Sequence, residues 1–191
     1  MQHHDLSKPE LSLYGALAAL SAVFQIVHLG FQTQWGMWID IVAVPWLIAF
    51  FLFGLRGSIF VSVIGSLIIT FVAPSTWLGA AAKFIATVPL VLVLYSVQRF
   101  FHISRSDLSK ARYIIFALVI GLFIRSIITL SFNYYIALPI WIQGKSPAEL
   151  MVLFPWYVIA GLNAIQGVID VVLAWILVYR YKLSRFATQN I

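Results

Sequence analysis

The fold is decided by the stretch from Leu150 to Tyr179, LMVLFPWYVIAGLNAIQGVIDVVLAWILVY. Asp170 is the only charged residue in it. A helix needs about 20 mostly apolar residues to cross the hydrocarbon core of a bilayer. The stretch is therefore long enough to predict a membrane-spanning helix. Strands of a membrane barrel are excluded because they would be about ten residues long with alternating polarity.

The rest of the chain has the same character. Of its 191 residues, 62% are hydrophobic and 9% are charged, whereas soluble domains have about 45–50% apolar and about 25% charged residues. Some 62% of 191 is about 118 apolar residues, enough for roughly six helices at about 20 residues each. The composition excludes a soluble protein and predicts one all-α integral membrane domain over residues 1–191, a bundle of six transmembrane helices.

Turn signals and charges divide this domain into its six predicted spans. The spans cover residues 11–31, 41–55, 58–73, 77–97, 113–142 and 150–179. Arg56-Gly57 is predicted to end the second span, and Pro74-Ser75 the third. These two spans are short for a full crossing of the bilayer.

The distribution of Lys and Arg predicts the orientation. With six spans, both termini and two loops share one side, and that side carries nine of the twelve basic residues: Lys8, Arg56, Arg99, Arg105, Lys110, Arg112, Arg180, Lys182 and Arg185. The opposite side carries only Lys145, while Lys83 and Arg125 lie within spans. Basic residues accumulate in cytoplasmic loops, so both termini are predicted to be cytoplasmic. The same distribution explains the net charge of +6 without nucleic acid as a partner.

Span six carries polar residues on one helical face. Asn163, Gln166, Gly167 and Asp170 follow the spacing i, i+3, i+4, i+7, which places them on one side of the helix. They either face a ligand cavity, which we favour for Asn163 and Gln166, or hydrogen-bond between helices. Asp170 is interpreted as structural because it lies only ten residues, about 15 Å, from Arg180 at the inner face.

Span five carries Arg125, Thr129 and Asn133 on one face, with Tyr134 beside Asn133. Arg125 is thirteen residues, about 20 Å, above Arg112, so its depth is close to that of Asp170. A charge at this depth costs about 2.5–3.5 kcal/mol on insertion scales. An ion pair between Arg125 and Asp170 would offset that cost, and the alternative is that Arg125 reaches an aqueous cavity alone.

Two further charges lie near the predicted outer surface. Lys83 is about five residues inside span four, so it either extends to the interface or lines a pocket. Asp40 marks the outer end of span two, where it either caps a helix or contributes to the same pocket.

Span one carries small residues at four-residue spacing: Gly15, Ala18, Ala19 and Ala22. Such residues allow two helices to approach closely. The partner is either another helix of the bundle, which the spacing alone favours, or a second protein.

Motifs for catalysis and metal binding are absent from the sequence. It has no phosphate-binding Walker A motif, no His-Glu-x-x-His and no Gly-x-Ser-x-Gly, so no ATPase or hydrolase site is predicted. It also has no cysteine. His3, His4 and Asp5 could bind a metal only from a polar terminus, and we predict no metal site, no catalytic residue and no cofactor.

Four segments carry a resemblance to a known family. Ile39–Pro45 (IDIVAVP) is similar to a family segment Leu-Asp-Leu-Ser-Asp-Ile-Pro. Gly79–Phe84 (GAAAKF) is similar to a Gly-x-x-Ala-Asn-Phe or Gly-x-x-x-Lys-Phe start of helix four. Asn133–Trp141 resembles Asn-Tyr-Phe…Leu-Pro-Leu-Tyr, and Leu162–Gly167 resembles Phe-Asn-Leu-Ile-Lys-Gly. In this order the segments resemble substrate-binding S components of energy-coupling-factor (ECF) vitamin transporters, most closely the riboflavin type.

The resemblance implies a function and a set of site residues. It implies a vitamin importer subunit in a prokaryotic cell membrane, which binds riboflavin in the outer half of the bundle. Its partners would be a transmembrane coupling subunit and two nucleotide-binding ATPase subunits. Together with the polar positions above, it implies these substrate-binding residues: Asp40, Lys83, Asn133, Tyr134, Asn163 and Gln166.

The resemblance also changes the interpretation of span one, where the face of Gly15, Ala18, Ala19 and Ala22 becomes the predicted docking surface for the coupling subunit. Two alternatives to the riboflavin function remain. One is an S component for another vitamin or precursor, and the other is a small membrane enzyme with Arg125 and Asp170 as its reactive groups.

Overall fold

The computed structural model describes residues 8–72 and 76–186, which form helices and one short hairpin. The helices are α1 Lys8–Val27, α2 Val44–Phe53, α3 Leu55–Val72, α4 Thr76–Phe100, α5 Ala111–Phe132, α6 Leu138–Trp141, α7 Pro147–Leu153 and α8 Trp156–Trp175. Strands β1 Gly30–Gln32 and β2 Trp38–Asp40 pair in an antiparallel hairpin. Single turns of wider π-helix, Asn133–Ala137 and Ile176–Arg180, join α5 to α6 and extend α8.

Within the described ranges, five helical segments are long and apolar enough to cross a membrane: Glu10–Val27, Leu55–Val72, Trp77–Phe100, Ala111–Trp141 and Trp156–Arg180. Many of their apolar side chains face outward, as expected where the surrounding solvent is lipid. By fold class the chain is thus a helical, multi-pass membrane protein.

Helix α2 lies at the centre of the bundle. Eight of its ten residues are buried, and it packs against α1, α3 and α8. A helix that is apolar on all sides is suited to such a buried position. At 1.5 Å per residue it is about 15 Å long, or half of a bilayer's hydrocarbon thickness. An extended segment that includes β2 precedes it.

The break between α2 and α3 falls at a glycine rather than at the predicted basic turn. Gly54 has φ +82°, a conformation that side-chain-bearing residues rarely adopt, and α3 begins at the next residue. Arg56 and Gly57 consequently lie in the first turn of α3 instead of ending the second span. The continuous helix expected over residues 41–55 is shorter because the chain is still extended at Asp40.

The end of the first predicted span is also different in the structure. Helix α1 ends at Val27, and residues 30–32 form a strand instead of the last helical turn. Gly30 lies opposite Asp40, and a Cβ on it would lie 2.1 Å from the Ile39 carbonyl oxygen. The hairpin therefore requires glycine at this position.

Span six is divided into two helices. Ser146 and Glu149 form a reciprocal capping box at the start of α7, which satisfies free backbone donors there. Helix α7 then ends before Pro155, because the residue preceding a proline is disfavoured in helical conformation. The long membrane-spanning helix begins at Trp156.

One end of the bundle is tied together by the connection between α4 and α5. The guanidinium of Arg105 donates to the Leu52 carbonyl at the end of α2. The hydroxyl of Tyr179 donates to the Arg105 carbonyl (2.6 Å), and the indole of Trp175 donates to the Leu108 carbonyl (2.9 Å). The ends of α2, α4 and α8 and the start of α5 thus lie together, and the β-hairpin, α6 and α7 lie at the opposite end.

Candidate functional site

A cavity of about 460 Å³ lies between the β-hairpin, α4, α5, α6 and α8. Its volume is within the range of about 300–1,000 Å³ that is typical of small-molecule sites. Five of the six predicted substrate-binding residues line it: Asp40, Lys83, Asn133, Asn163 and Gln166.

Asp40 and Lys83 form an ion pair at the cavity wall. The ammonium of Lys83 lies 2.5 Å and 2.6 Å from the two Asp40 carboxylate oxygens. Lys83 therefore points into the bundle instead of extending to the membrane interface. Asp40 also accepts a hydrogen bond from the backbone N–H of Val42 (3.0 Å), which fixes the turn that leads from β2 to α2. It does not cap α2, whose N-terminal cap position is Ala43.

Gln166 joins the hairpin to α8. Its Oε1 accepts from the Asp40 backbone N–H (2.9 Å), and its Nε2 donates to the Asp40 carbonyl (2.7 Å). The same nitrogen donates to Asp170 Oδ1 (2.8 Å). One amide side chain thus hydrogen-bonds to both the backbone N–H and the carbonyl of Asp40 at the end of β2.

Two asparagines lie on either side of the cavity. Asn163 Nδ2 donates to the Ile159 carbonyl one turn earlier (2.9 Å) and lies 3.9 Å from the sulfur of Met37. Asn133 Nδ2 donates to the Thr129 carbonyl (2.7 Å). Because these bonds are local, both amides are held at the wall without tying helices together.

The prediction that Tyr134 lines the site is wrong. Its ring is buried with Leu138, Leu150 and Ile159, and its hydroxyl donates to the Phe154 carbonyl (2.6 Å). Successive residues of a helix point in different directions, and Tyr134, the residue after Asn133, is not part of the cavity lining. Tyr134 instead fixes α5 and α6 to the segment between α7 and α8.

Arg125 and Asp170 meet at the inner part of the cavity lining. Arg125 Nη1 lies 3.8 Å from Asp170 Oδ2, and the two side chains are 2% and 1% exposed. The structure thus brings together the pair that equal depth predicted. With Asp40 and Lys83, the described lining contains two carboxylates and two basic groups, so their formal charges cancel.

Aromatic rings form much of the apolar wall. Trp35, Trp38 and Trp141 line the cavity, and the offset stacking of flat ligands on such rings is favourable. Trp156 and Tyr157, at the start of α8, are not part of the lining. They are 61% and 62% exposed and contact each other.

The small-residue face of α1 is only half accessible, which corrects the predicted docking surface. Ala18 is fully buried and Ala22 is 5% exposed. Ala18 belongs to a buried cluster with Val42, Ala43 and residues of α2 and α3. Gly15 and Ala19 remain exposed. The four residues form two rows, Gly15/Ala19 and Ala18/Ala22, and only the first is available to a partner.

Sequence reasoning missed the contribution of the hairpin and its neighbours. Gln25, Met37 and Thr87 line the cavity, although the sequence pattern did not single them out. The pair of glycines around the hairpin turn, Gly30 and Gly36, is the signal that could have identified it. His3, His4 and Asp5 lie outside the described residues, and the described ranges contain no cluster of three or more metal-ligating acidic, His or Cys side chains.

Comparison with known proteins identifies the fold. No family model matches the sequence, and no curated protein matches it significantly. A solved structure of the S component of a bacterial ECF transporter superposes with a TM-score of 0.71, covering 93% of this chain and 96% of that one at 23% identity. The chain therefore shares the fold of that S component.

Proposed function

We propose that the protein is the substrate-binding S component of an ECF-type vitamin importer and that its ligand is riboflavin. The observation that carries the proposal is the cavity, because it lies inside this fold, is large enough for a vitamin and is lined by the polar residues that the sequence pattern selected. In this function the protein binds the vitamin and carries out no chemistry on it.

The composition of the cavity wall favours a neutral, flat ligand. Asp40 balances Lys83, and Asp170 balances Arg125, so a ligand with net charge would leave one charge uncompensated in a site of low dielectric. Riboflavin is uncharged, its ring can stack on tryptophan, and its hydroxyls match amide partners such as Asn133 and Asn163.

The proposal is tested with protein purified in detergent. We expect a yellow sample, or a colourless one that binds added riboflavin with quenching of flavin fluorescence by the stacked indole. Trp141→Ala should weaken binding and reduce quenching, whereas Trp156→Ala, a matched change outside the lining, should do neither. If the purified protein is monodisperse but does not bind riboflavin, the proposed vitamin is wrong.

We also propose that the chain crosses the membrane six times, with α2 and the segment before it as the second crossing and with both termini in the cytoplasm. The tied end of the bundle then faces the cytoplasm, consistent with its basic residues. Because the native chain has no cysteine, single cysteines report sidedness directly. A membrane-impermeant maleimide added to intact cells should label Lys145→Cys and should not label Ser109→Cys; the reverse pattern contradicts the orientation.

Uptake requires energy from partners, since the sequence has no ATP-binding motif. We propose a transmembrane coupling subunit with two nucleotide-binding ATPase subunits, and we assign contact with the coupling subunit to the exposed row Gly15/Ala19. Close helix approach through small residues is the main source of specific association in lipid.

A further inference from the structure

Three polar atoms at the inner part of the cavity lack a hydrogen-bond partner within the described part of the chain. They are Arg125 Nε, Arg125 Nη1 and Asp170 Oδ2. The two residues come from α5 and α8, are almost completely buried, and both line the cavity. Their closest approach, 3.8 Å between Nη1 and Oδ2, is too long for a hydrogen bond.

This arrangement differs from that of the other ion pair in the same cavity. Lys83 contacts both Asp40 oxygens at hydrogen-bond distance, so that pair is closed. The Arg125–Asp170 pair is open, although both groups are more deeply buried. A buried charged group without hydrogen bonds is strongly unfavourable, and a third group placed between the two side chains would satisfy both.

The geometry also defines what that third group must offer. Gln166 Nε2 already donates to Asp170 Oδ1 (2.8 Å), which leaves Oδ2 as the acceptor that faces Arg125. Arg125 presents a donor and Asp170 an acceptor side by side. The complementary edge carries a carbonyl oxygen next to an N–H group, as in an imide, a lactam or a cyclic urea.

We propose that Arg125 and Asp170 form the part of the site that recognises such an edge. Arg125 donates to the ligand carbonyl, and Asp170 Oδ2 accepts from the adjacent ligand N–H, while Gln166 positions the carboxylate. The inference rests on the proposed function, and it specifies how the ligand is oriented: the imide edge of its ring system points inward, to the middle of the bundle.

The test compares riboflavin with N3-methylriboflavin, in which the ring N–H is replaced. We expect the wild-type protein to prefer riboflavin by roughly tenfold or more, since a hydrogen bond to a charged group is lost. The double variant Arg125→Met/Asp170→Leu should bind both compounds with similar affinity. It should still fold, because replacing a buried ion pair by apolar residues of similar size is often neutral.

The ratio of the affinities for riboflavin and N3-methylriboflavin distinguishes ligand recognition from a structural role. A general loss of stability weakens the binding of both compounds alike, and the ratio then stays the same. Ser66→Ala is the control, since the Ser66 hydroxyl is also buried without a partner but lies outside the cavity lining; it should leave the ratio unchanged. Equal binding of the two compounds by the wild-type protein, as expected if a water bridges the pair, overturns the inference while leaving riboflavin binding intact.

If riboflavin itself does not bind, the proposed vitamin is wrong. The inference is then tested with a second pair of compounds. Lumazine and 3-methyllumazine present the same edge on a smaller ring, and their binding is measured by thermal shift. Stabilisation by lumazine alone, absent in the double variant, supports the inference. No stabilisation by either compound overturns it together with the proposed ligand.

Discussion

Replacing Gln166 by leucine should affect both stability and ligand binding, because this amide connects the hairpin, α8 and Asp170. The substitution removes three hydrogen bonds at once: from the Asp40 N–H, to the Asp40 carbonyl and to Asp170 Oδ1. All three groups are buried, and leucine offers them no partner.

The expected destabilisation follows from the groups left unpaired. Each buried polar group without a partner costs about 1–3 kcal/mol. Counting only the Asp40 N–H and the Asp170 oxygen, the free energy of unfolding should fall by about 2–6 kcal/mol. For a chain of 150–250 residues, 1 kcal/mol changes the melting temperature by about 2–4 °C, so we expect a decrease of roughly 4 °C or more.

The assay combines melting in detergent with a ligand titration, and Asn163→Leu is the informative comparison. Asn163 hydrogen-bonds mainly within its own helix, so its loss should lower stability little but weaken binding by roughly 5- to 150-fold, equivalent to about 1–3 kcal/mol. Ile165→Leu, on the exposed face of α8, controls for the introduced side chain and should change neither quantity.

A specific result would refute this reasoning. If Gln166→Leu melts at the wild-type temperature and binds ligand with wild-type affinity, Gln166 neither anchors the hairpin nor contributes to the site. If Asn163→Leu is the less stable of the two variants, the assignment of structural and binding roles is reversed.

Four other substitutions test three separate features. Gly30→Ala should weaken ligand binding, because the added Cβ collides with the carbonyl oxygen opposite it in the hairpin; wild-type affinity by titration would contradict this. Ala19→Trp should abolish cellular uptake while the purified protein still binds ligand. Ala18→Trp should instead destabilise the protein, because Ala18 is fully buried. If the two variants behave alike in the uptake and melting assays, the division of α1 into two rows is contradicted. Ser146→Ala should lower the free energy of unfolding by about 0.5–2 kcal/mol. Hydrogen bonds from Ser146 lower the pKa of Glu149, so the stabilisation of the cap by this carboxylate should be present above its unfolded pKa and lost as pH falls through its folded pKa. A difference in melting temperature that does not depend on pH would count against the cap.

The position of a polar residue along its helix could be predicted from the sequence. The direction in which its side chain points around the helix could be predicted only in part. Arg125 and Asp170 lie close together, and the sequence gives them similar positions at 1.5 Å per residue, measured from basic residues on the same side. Asp40 and Lys83 were considered separately, because nothing local to either residue indicates that the hairpin folds back to meet α4. Their contact depends on tertiary structure between residues 43 positions apart.

Errors of direction have a common cause. The neighbours Asn133 and Tyr134 lie at almost the same position along the helix but point in different directions, and only Asn133 lines the cavity. Polarity identified the inward row of α5 and α8, since polar groups avoid lipid. No such signal separates Ala18 from Ala19, because alanine is equally compatible with lipid and with a packed interior.

The packed layer below the cavity limits how a bound molecule can leave. Leu47, Leu90, Val91 and Val171 belong to a continuous apolar cluster that reaches the tied end of the bundle. A packed apolar cluster therefore closes the cavity on that side. In the proposed function, a ligand could leave through that end of the bundle only if this cluster were separated, because its residues are buried against one another.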